Sequence, residues 1–358
     1  MGKLLERFYQ AIMHKESDQV PVWIVSSENT YAAFCGIKLI ELYKDPAKML
    51  ECQLSFIKRF PNALFSILNL WPRLSGPGDG ITTAFGAELI WSENNAPWTK
   101  PIIKDPKDID NLKIPDPYKD GRLPIQLEGL RYYMEKAPIE IREKYGLLDN
   151  NAYCPGGVEY AALLIGYDKF LLGFHKYPEK IHKLIEIVTD LSIEYVKAQE
   201  KIVGKITKIF LSDHSATFMS RKEFETFCIP YLKKITNTFK NSIIIYHNEG
   251  NIKHLIDLVP KIEADCWHLG ENIDLLNAKR IIGDKICLIG NIDPINIMLR
   301  GDPEKVDEAC KDAIKKAAHN GGYILAPGGG FVANTPPENI DAMIKAAEKY
   351  GKYPINEA

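Results

Sequence analysis

The C-terminal half of the chain alternates short, β-branched apolar runs with stretches whose apolar residues recur every three to four positions. This alternation limits the fold more than any other feature of the sequence. Strands read off at 208–212, 242–246, 264–268, 285–290 and 322–326, each followed by a helical stretch, as in successive βα units around a parallel sheet. Helix start signals fall between them. Ser220 with Glu223 forms a capping box, Asp302 precedes Pro303, and Thr335-Pro336-Pro337-Glu338 combines both devices. Upstream, 20–25 and 63–70 read as two further strands, joined by a helix from Asp45-Pro46 to about Lys58, and a third lies near 146–153. Closing eight such strands into a barrel removes the two edges that an open, doubly wound sheet would expose. The expected architecture is a single α/β domain over residues 1–358, a (β/α)8 TIM barrel with an N-terminal helix. Residues 71–124, rich in Pro, Gly and Asn, are too long for an ordinary βα connection and are expected to make an excursion over the barrel mouth.

Composition narrows the function classes. A net charge of −2 and the absence of any long Lys/Arg block speak against nucleic-acid partners. The seven cysteines are odd in number and lack CxxC spacing, which fits reduced thiols in a cytoplasmic protein. The opening "MGKLLERFYQAIMHKESDQ" mixes apolar and charged residues at helical spacing and reads as neither a signal peptide nor a membrane span.

In a barrel of this kind the chemistry lies at the carboxyl ends of the strands. The residues there are polar: Ser26-Ser27-Glu28, Asp213-His214-Ser215, His247-Asn248-Glu249, His268 and Glu271, Asn291-Ile292-Asp293, and glycines 328–330. His247 and Glu249 stand at i and i+2, so on an extended segment both side chains share one face and can reach one ion. Zinc accepts imidazole and carboxylate together, and a catalytic zinc takes three protein ligands and keeps a fourth position open. Glu271 and Cys266 are the nearest candidates for the third ligand, with Asp213 or His214 on the preceding strand also available. An isolated H-x-E is more often a strand-end hydrogen bond beside a solvated glutamate; its company of other ligands favours the metal here. Asp213, His214 and Glu28 are candidate catalytic groups, although Asp213 and His214 are strand neighbours that point apart. The glycine run lacks the GxGxxG spacing and the lysine of a phosphate loop, so it marks a turn or a close backbone approach. Trp71, Phe85, Asn291, Asp293 and Gly329 are the expected substrate-binding positions, with further aromatic surface from Tyr31, Phe34, Trp91 and Trp98.

Together these segments resemble the uroporphyrinogen decarboxylase superfamily, and within it the zinc-dependent, corrinoid-linked methyltransferases. The resemblance rests on "ERFYQAIMHKESDQVPVW", "YHNEGNIKHLI", "GDKICLIGNIDPINIMLRGDPEKV" and "GGYILAPGGGFVANTPPENIDAMIKAAEKYG". Two departures from family patterns bear on the reaction. The decarboxylases carry an arginine-rich R-x-A-G-R-Y element after the first strand, suited to a substrate with many carboxylates, whereas this chain has "SSENTYAAFCG". Methyltransferases acting on thiol cofactors show H-x-C on the fifth strand and a cysteine in the A-P-G-C-G of the eighth; here Glu249 and Gly329 stand at those places. A zinc without thiolates is a harder Lewis acid, matched to oxygen. The resemblance so read implies transfer of a methyl group from a methoxylated, aromatic substrate to the cob(I)alamin of a separate corrinoid protein. Zinc would polarise the ether oxygen, and homodimerisation is open. Transfer from a methylated corrinoid to tetrahydrofolate or a thiol, decarboxylation of a small acid, and a metal-free paralogue are the rival readings.

Overall fold

In chain order the strands of the computed structural model are β1 Trp23–Ile24, β2 Leu64–Phe65, β3 Leu89–Ile90, β4 Trp98–Thr99, β5 Asn151–Pro155, β6 Lys208–Ser212, β7 Ile243–Asn248, β8 Cys266–Leu269, β9 Cys287–Ile292 and β10 Tyr323–Pro327. The structure describes residues 2–72, 80–93 and 95–355; positions 73–79 and 94, both within the expected excursion, lie outside the described residues. Strands β5 to β10 form one parallel sheet in sequential order. Parallel bridges Val22–Leu325 and Ser26–Phe331 continue it from β10 to β1, which pairs with β2. The 3-10 turn Ile67–Leu70 after β2 packs on β5 and completes the ring. The fold is a (β/α)8 barrel, and the antiparallel β3–β4 pair belongs to the excursion. Strands such as β6 and β10 are buried throughout, as a parallel sheet covered on both faces requires.

The strands end later than the apolar pattern suggests. The 242–246 run becomes β7 to Asn248, and the 285–290 run becomes β9 to Ile292. Backbone pairing carries the ladder past the last apolar residue, so His247 lies within its strand, in register with Ser212 and His268. The expected 146–153 strand begins only at Asn151, because Leu148 and Asn150 adopt left-handed backbone (φ 61° and 60°) just before it. The Asp45, Ser220 and Asp302 caps form, each side chain accepting from backbone N–H groups of the first turn. Thr335 does not cap. Its hydroxyl donates to the Val332 carbonyl, and the Pro337–Tyr350 helix starts after Pro336.

The N-terminal helix Lys3–Ile12 buries Leu5, Phe8 and Ala11, packs against β10 and the Ile139–Tyr145 helix, and sets Phe8 under the Lys208 ammonium at the amino end of β6. That end of the barrel is closed by packing. The excursion is fastened at its far side: the Ile102 and Ile103 amides donate to the Leu164 carbonyl, and Asp110 pairs with Lys180 and Lys183 of the Pro178–Val203 helix. No described helix is long and apolar enough to cross a membrane, and all seven cysteines are free.

Candidate metal centre

Two imidazoles and a carboxylate converge at the carboxyl ends of β6 and β7. Glu249 Oε2 lies 2.8 Å from His214 Nε2 and 2.9 Å from His247 Nε2. Ligand atoms of the three residues all lie within 4.8 Å of one another, close enough to hold one cation. Two histidines and a glutamate are the protein ligands of several catalytic zinc sites and leave a coordination position open.

Each histidine is oriented from behind. His214 Nδ1 donates to Glu159 Oε2 at 2.9 Å, and the His214 backbone N–H donates to the same oxygen. His247 Nδ1 lies 2.8 Å from His268 Nδ1, and His268 Nε2 lies 2.9 Å from the Pro327 carbonyl oxygen. Trp23 meets the His268 ring edge-on and Phe210 packs on His247, so the pair rests on the filled barrel interior. Such outer partners fix ring orientation in metal sites.

The charges agree with this geometry. Burial disfavours a cationic His214, but Glu159 and Glu249 outweigh it and hold the imidazole pKa well above its usual value. Burial likewise works against Glu249, and His247 and His214 overcome it, keeping its carboxyl far below the ordinary range. His268 is driven down to about 3 by burial and by His247, and is therefore neutral.

Glycines crowd Glu249. A Cβ on Gly270 would stand 1.9 Å from the Glu249 carbonyl oxygen, and one on Gly329 (φ +120°) would stand 3.6 Å from Glu249 Cγ. The glycine run after β10 thus serves close backbone approach.

The other expected site residues lie elsewhere. Asp213 is fully buried and turned inward, its two carboxylate oxygens accepting from the Glu159 and Ser215 amides. Burial and the nearby Glu159 raise its pKa to about 7. Cys266 pairs in register with Ile245, one layer below the His247–His268 pair, and its thiol meets Cys287. Glu271 is exposed and accepts from the Asn272 side chain. Neither reaches the cluster. Glu28 is buried on the first turn after β1, near the Tyr133 phenol. Trp71 is a core side chain at 2% exposure, and Phe85 packs against the core. Asn291 ties down the loop after β8 by donating to the Gly270 and Ile273 carbonyls, and Asp293 caps the next helical turn. A cavity of about 470 Å³ lined by Met49, Trp91, Arg122 and Tyr132 includes none of the cluster residues.

Glu159, Phe218 and Tyr167 escape the reading of strand ends, which includes His268 without a role. Glu159 sits on the third residue of the Gly157–Ile165 helix, beyond a strand whose end the pattern misplaced; the signal was an acid in the first turn after "CPGG". His268 stood out as a residue, but its role follows only from register. Phe218, 57% exposed, stacks edge-on with Tyr167 just beyond His214. Burial, and after it the charges of Glu159 and Asp213, push the Tyr167 phenol up.

Comparison with known proteins adds three findings. The family model described as uroporphyrinogen decarboxylase (URO-D) matches residues 3–350. Uroporphyrinogen decarboxylases from Coxiella burnetii and Myxococcus xanthus are 24% and 25% identical, over 98% and 97% of this chain and 97% of each relative. A solved methyltransferase from Methanosarcina mazei shares the fold with a TM-score of 0.80 at 24% identity, covering 98% of this chain and 99% of that one.

Proposed function

This chain belongs to the uroporphyrinogen decarboxylase (URO-D) family, and on that premise we propose that it is a zinc-dependent methyltransferase. It moves the methyl group of a methoxylated aromatic compound to the cob(I)alamin of a separate corrinoid protein in the cytoplasm. The observation that carries this reading is the donor set, His214, His247 and Glu249, with no thiolate among the three. Nitrogen and oxygen donors leave a divalent cation hard enough to prefer an ether oxygen over a thiol. The same set can hold ferrous iron in oxygenases. Zinc fits this reaction because the electron pair that forms the new cobalt–carbon bond comes from cob(I)alamin and no further redox step is needed.

When bound, the ion supplies Lewis acidity toward the substrate oxygen. The protein does the rest. His214 and His247 present their Nε2 atoms toward Glu249, while Glu159 keeps a proton on His214 Nδ1 and so leaves Nε2 free to coordinate. The Tyr167–Phe218 pair offers an aromatic face beside this arm for a substrate ring. Attack on the methyl carbon breaks the methyl–oxygen bond, and its electron pair leaves on the oxygen as phenolate. Asp213 serves as a builder of the site, since backbone amides occupy both of its oxygens. Decarboxylation of a polycarboxylate would call for cationic partners, whereas among the described residues the side chains meeting the cluster are Glu159, His268 and Phe210.

The test mixes the purified protein with a cob(I)alamin-loaded corrinoid protein and a panel of methoxyarenes and follows the corrinoid absorbance. Methylation by protein holding close to one zinc per chain is the expected result. Methylation by protein stripped of metal would overturn the zinc assignment, and no methylation from any methoxyarene would overturn the substrate class.

A pH dependence follows. In metal-free protein the raised His214 pKa adds stability that is complete below about pH 6.5 and is lost as pH rises through the folded-state value. Zinc replaces the Nε2 protons, so its stabilisation grows as those protons become easier to remove. The gap between the melting temperatures of zinc-saturated and chelator-treated protein is expected to widen from about pH 6 to about pH 8.5. A constant or narrowing gap would count against proton-for-metal exchange at His214.

A further inference from the structure

The contact between His247 and His268 determines where the protons sit. His268 Nε2 lies 2.9 Å from the Pro327 carbonyl oxygen, which can only accept, so Nε2 carries a hydrogen and donates it. The Gly329 amide, 3.4 Å from the same nitrogen, is then a neighbour and not a donor to it. His268 is fully buried, stacked on His247 and met edge-on by Trp23. A neutral imidazole has one hydrogen, so His268 Nδ1 presents a lone pair. At 2.8 Å from that lone pair, His247 Nδ1 must be the donor. His247 Nε2 faces the Glu249 carboxylate, which also can only accept, so in the metal-free protein that nitrogen holds a hydrogen too, and this is the proton a cation would displace while Nδ1 keeps its own.

We infer that His268 is a positioning residue that locks His247 in the tautomer able to coordinate through Nε2, by a two-imidazole relay anchored on the Pro327 carbonyl. This deepens the metal reading and rests on it. Such relays commonly end on a carboxylate; here a second histidine and a main-chain carbonyl do the same work without adding charge to the barrel interior. The anchor belongs to β10 and the relay to β8, so a ligand on β7 is aligned by two strands that carry no ligand themselves. The anchor needs no side chain. A main-chain acceptor within the β10 ladder cannot be lost by substitution, which leaves His268 as the replaceable link.

The experiment combines nitrogen-15 NMR of metal-free protein with zinc affinities, by chelator competition, of wild type, His268→Phe and His268→Gln. NMR is expected to show His268 as the Nε2–H tautomer and a hydrogen retained on His247 Nδ1. Phenylalanine keeps the stack against Trp23 and removes the acceptor, so His268→Phe is expected to weaken zinc binding about 10- to 100-fold. Glutamine can still accept from His247, and His268→Gln is expected to stay within about threefold of wild type. Melting temperatures of the metal-free variants separate lost alignment from lost folding: a drop shared by both variants, with equal zinc affinities, would assign His268 to packing and overturn the inference. So would His268 in the Nδ1–H tautomer. Wild-type protein that holds no zinc, yet shows the expected tautomers, would instead overturn the metal reading and leave the relay standing.

Discussion

Glu249→Ala is expected to release the metal and to slow methyl transfer on the order of a thousandfold, which corresponds to about 4 kcal/mol of transition-state stabilisation. Glu249 is the hub of the centre, since both imidazole Nε2 atoms meet its Oε2. Removing it takes away one ligand and, among the described residues, the only carboxylate in contact with both rings. Glu249→Gln keeps the shape and loses the charge, so it should also bind zinc poorly. Metal content by mass spectrometry and the rate of corrinoid methylation are the two readouts. A variant that keeps its zinc and its rate would remove the centre from the mechanism. Chelator-treated wild type should match the slowed rate, which guards against a folding defect as the cause.

Asp213→Ala should show the second large effect, on the fold before the chemistry. The Asp213 carboxylate accepts from the buried amides of Glu159 and Ser215. Alanine leaves both donors unsatisfied at about 1–3 kcal/mol each, hence about 2–6 kcal/mol in all. One of those amides opens the helix that carries Glu159, so the carboxylate that orients His214 should move with it. Urea unfolding is expected to reveal the loss of stability, and chelator competition a weaker zinc site in whatever folded fraction remains. If Asp213 were instead a proton donor to substrate, the variant would keep its stability and its zinc and lose only its rate. Asp213→Asn, which can accept one of the two bonds, should fall between wild type and alanine.

How far the sequence carries the reading depends on the range of the interaction. The barrel is legible because strand burial and helix capping are local, and the Ser220–Glu223 and Asp302 signals formed where their spacing placed them. His247 and Glu249 are legible as a pair because alternation on an extended chain is local too. Asp213 and His214 lie just past the end of β6, where His214 already has helical backbone (φ −101°, ψ −6°); there Asp213 turns into the core while His214 turns to Glu249. The register between β7 and β8 is not local. Without it, Cys266 and His268 look equally close to His247, although pairing sets His268 beside it and Cys266 a layer deeper. Glu159 was hidden for the same reason, since its meeting with His214 depends on how a helix after β5 lies against the end of β6. Aromatic exposure depends on packing that the chain does not spell out: Trp71 lies in the core, while Phe218 stands open four residues past His214.

The glycines around Glu249 give the molecule two unlike sides. Main chain meets main chain where the loops after β7, β8 and β10 touch, with Gly270 against Glu249 and Gly328 against Glu271, so an insertion in any of the three would displace the Glu249 carboxylate. The described part of the excursion is fastened to Leu164 and to Lys180 and Lys183, and Leu164 shares its helix with Glu159, the carboxylate behind His214. One side of the cluster is thus gripped by main chain alone, while the other leans on a helix that a change in the excursion can shift.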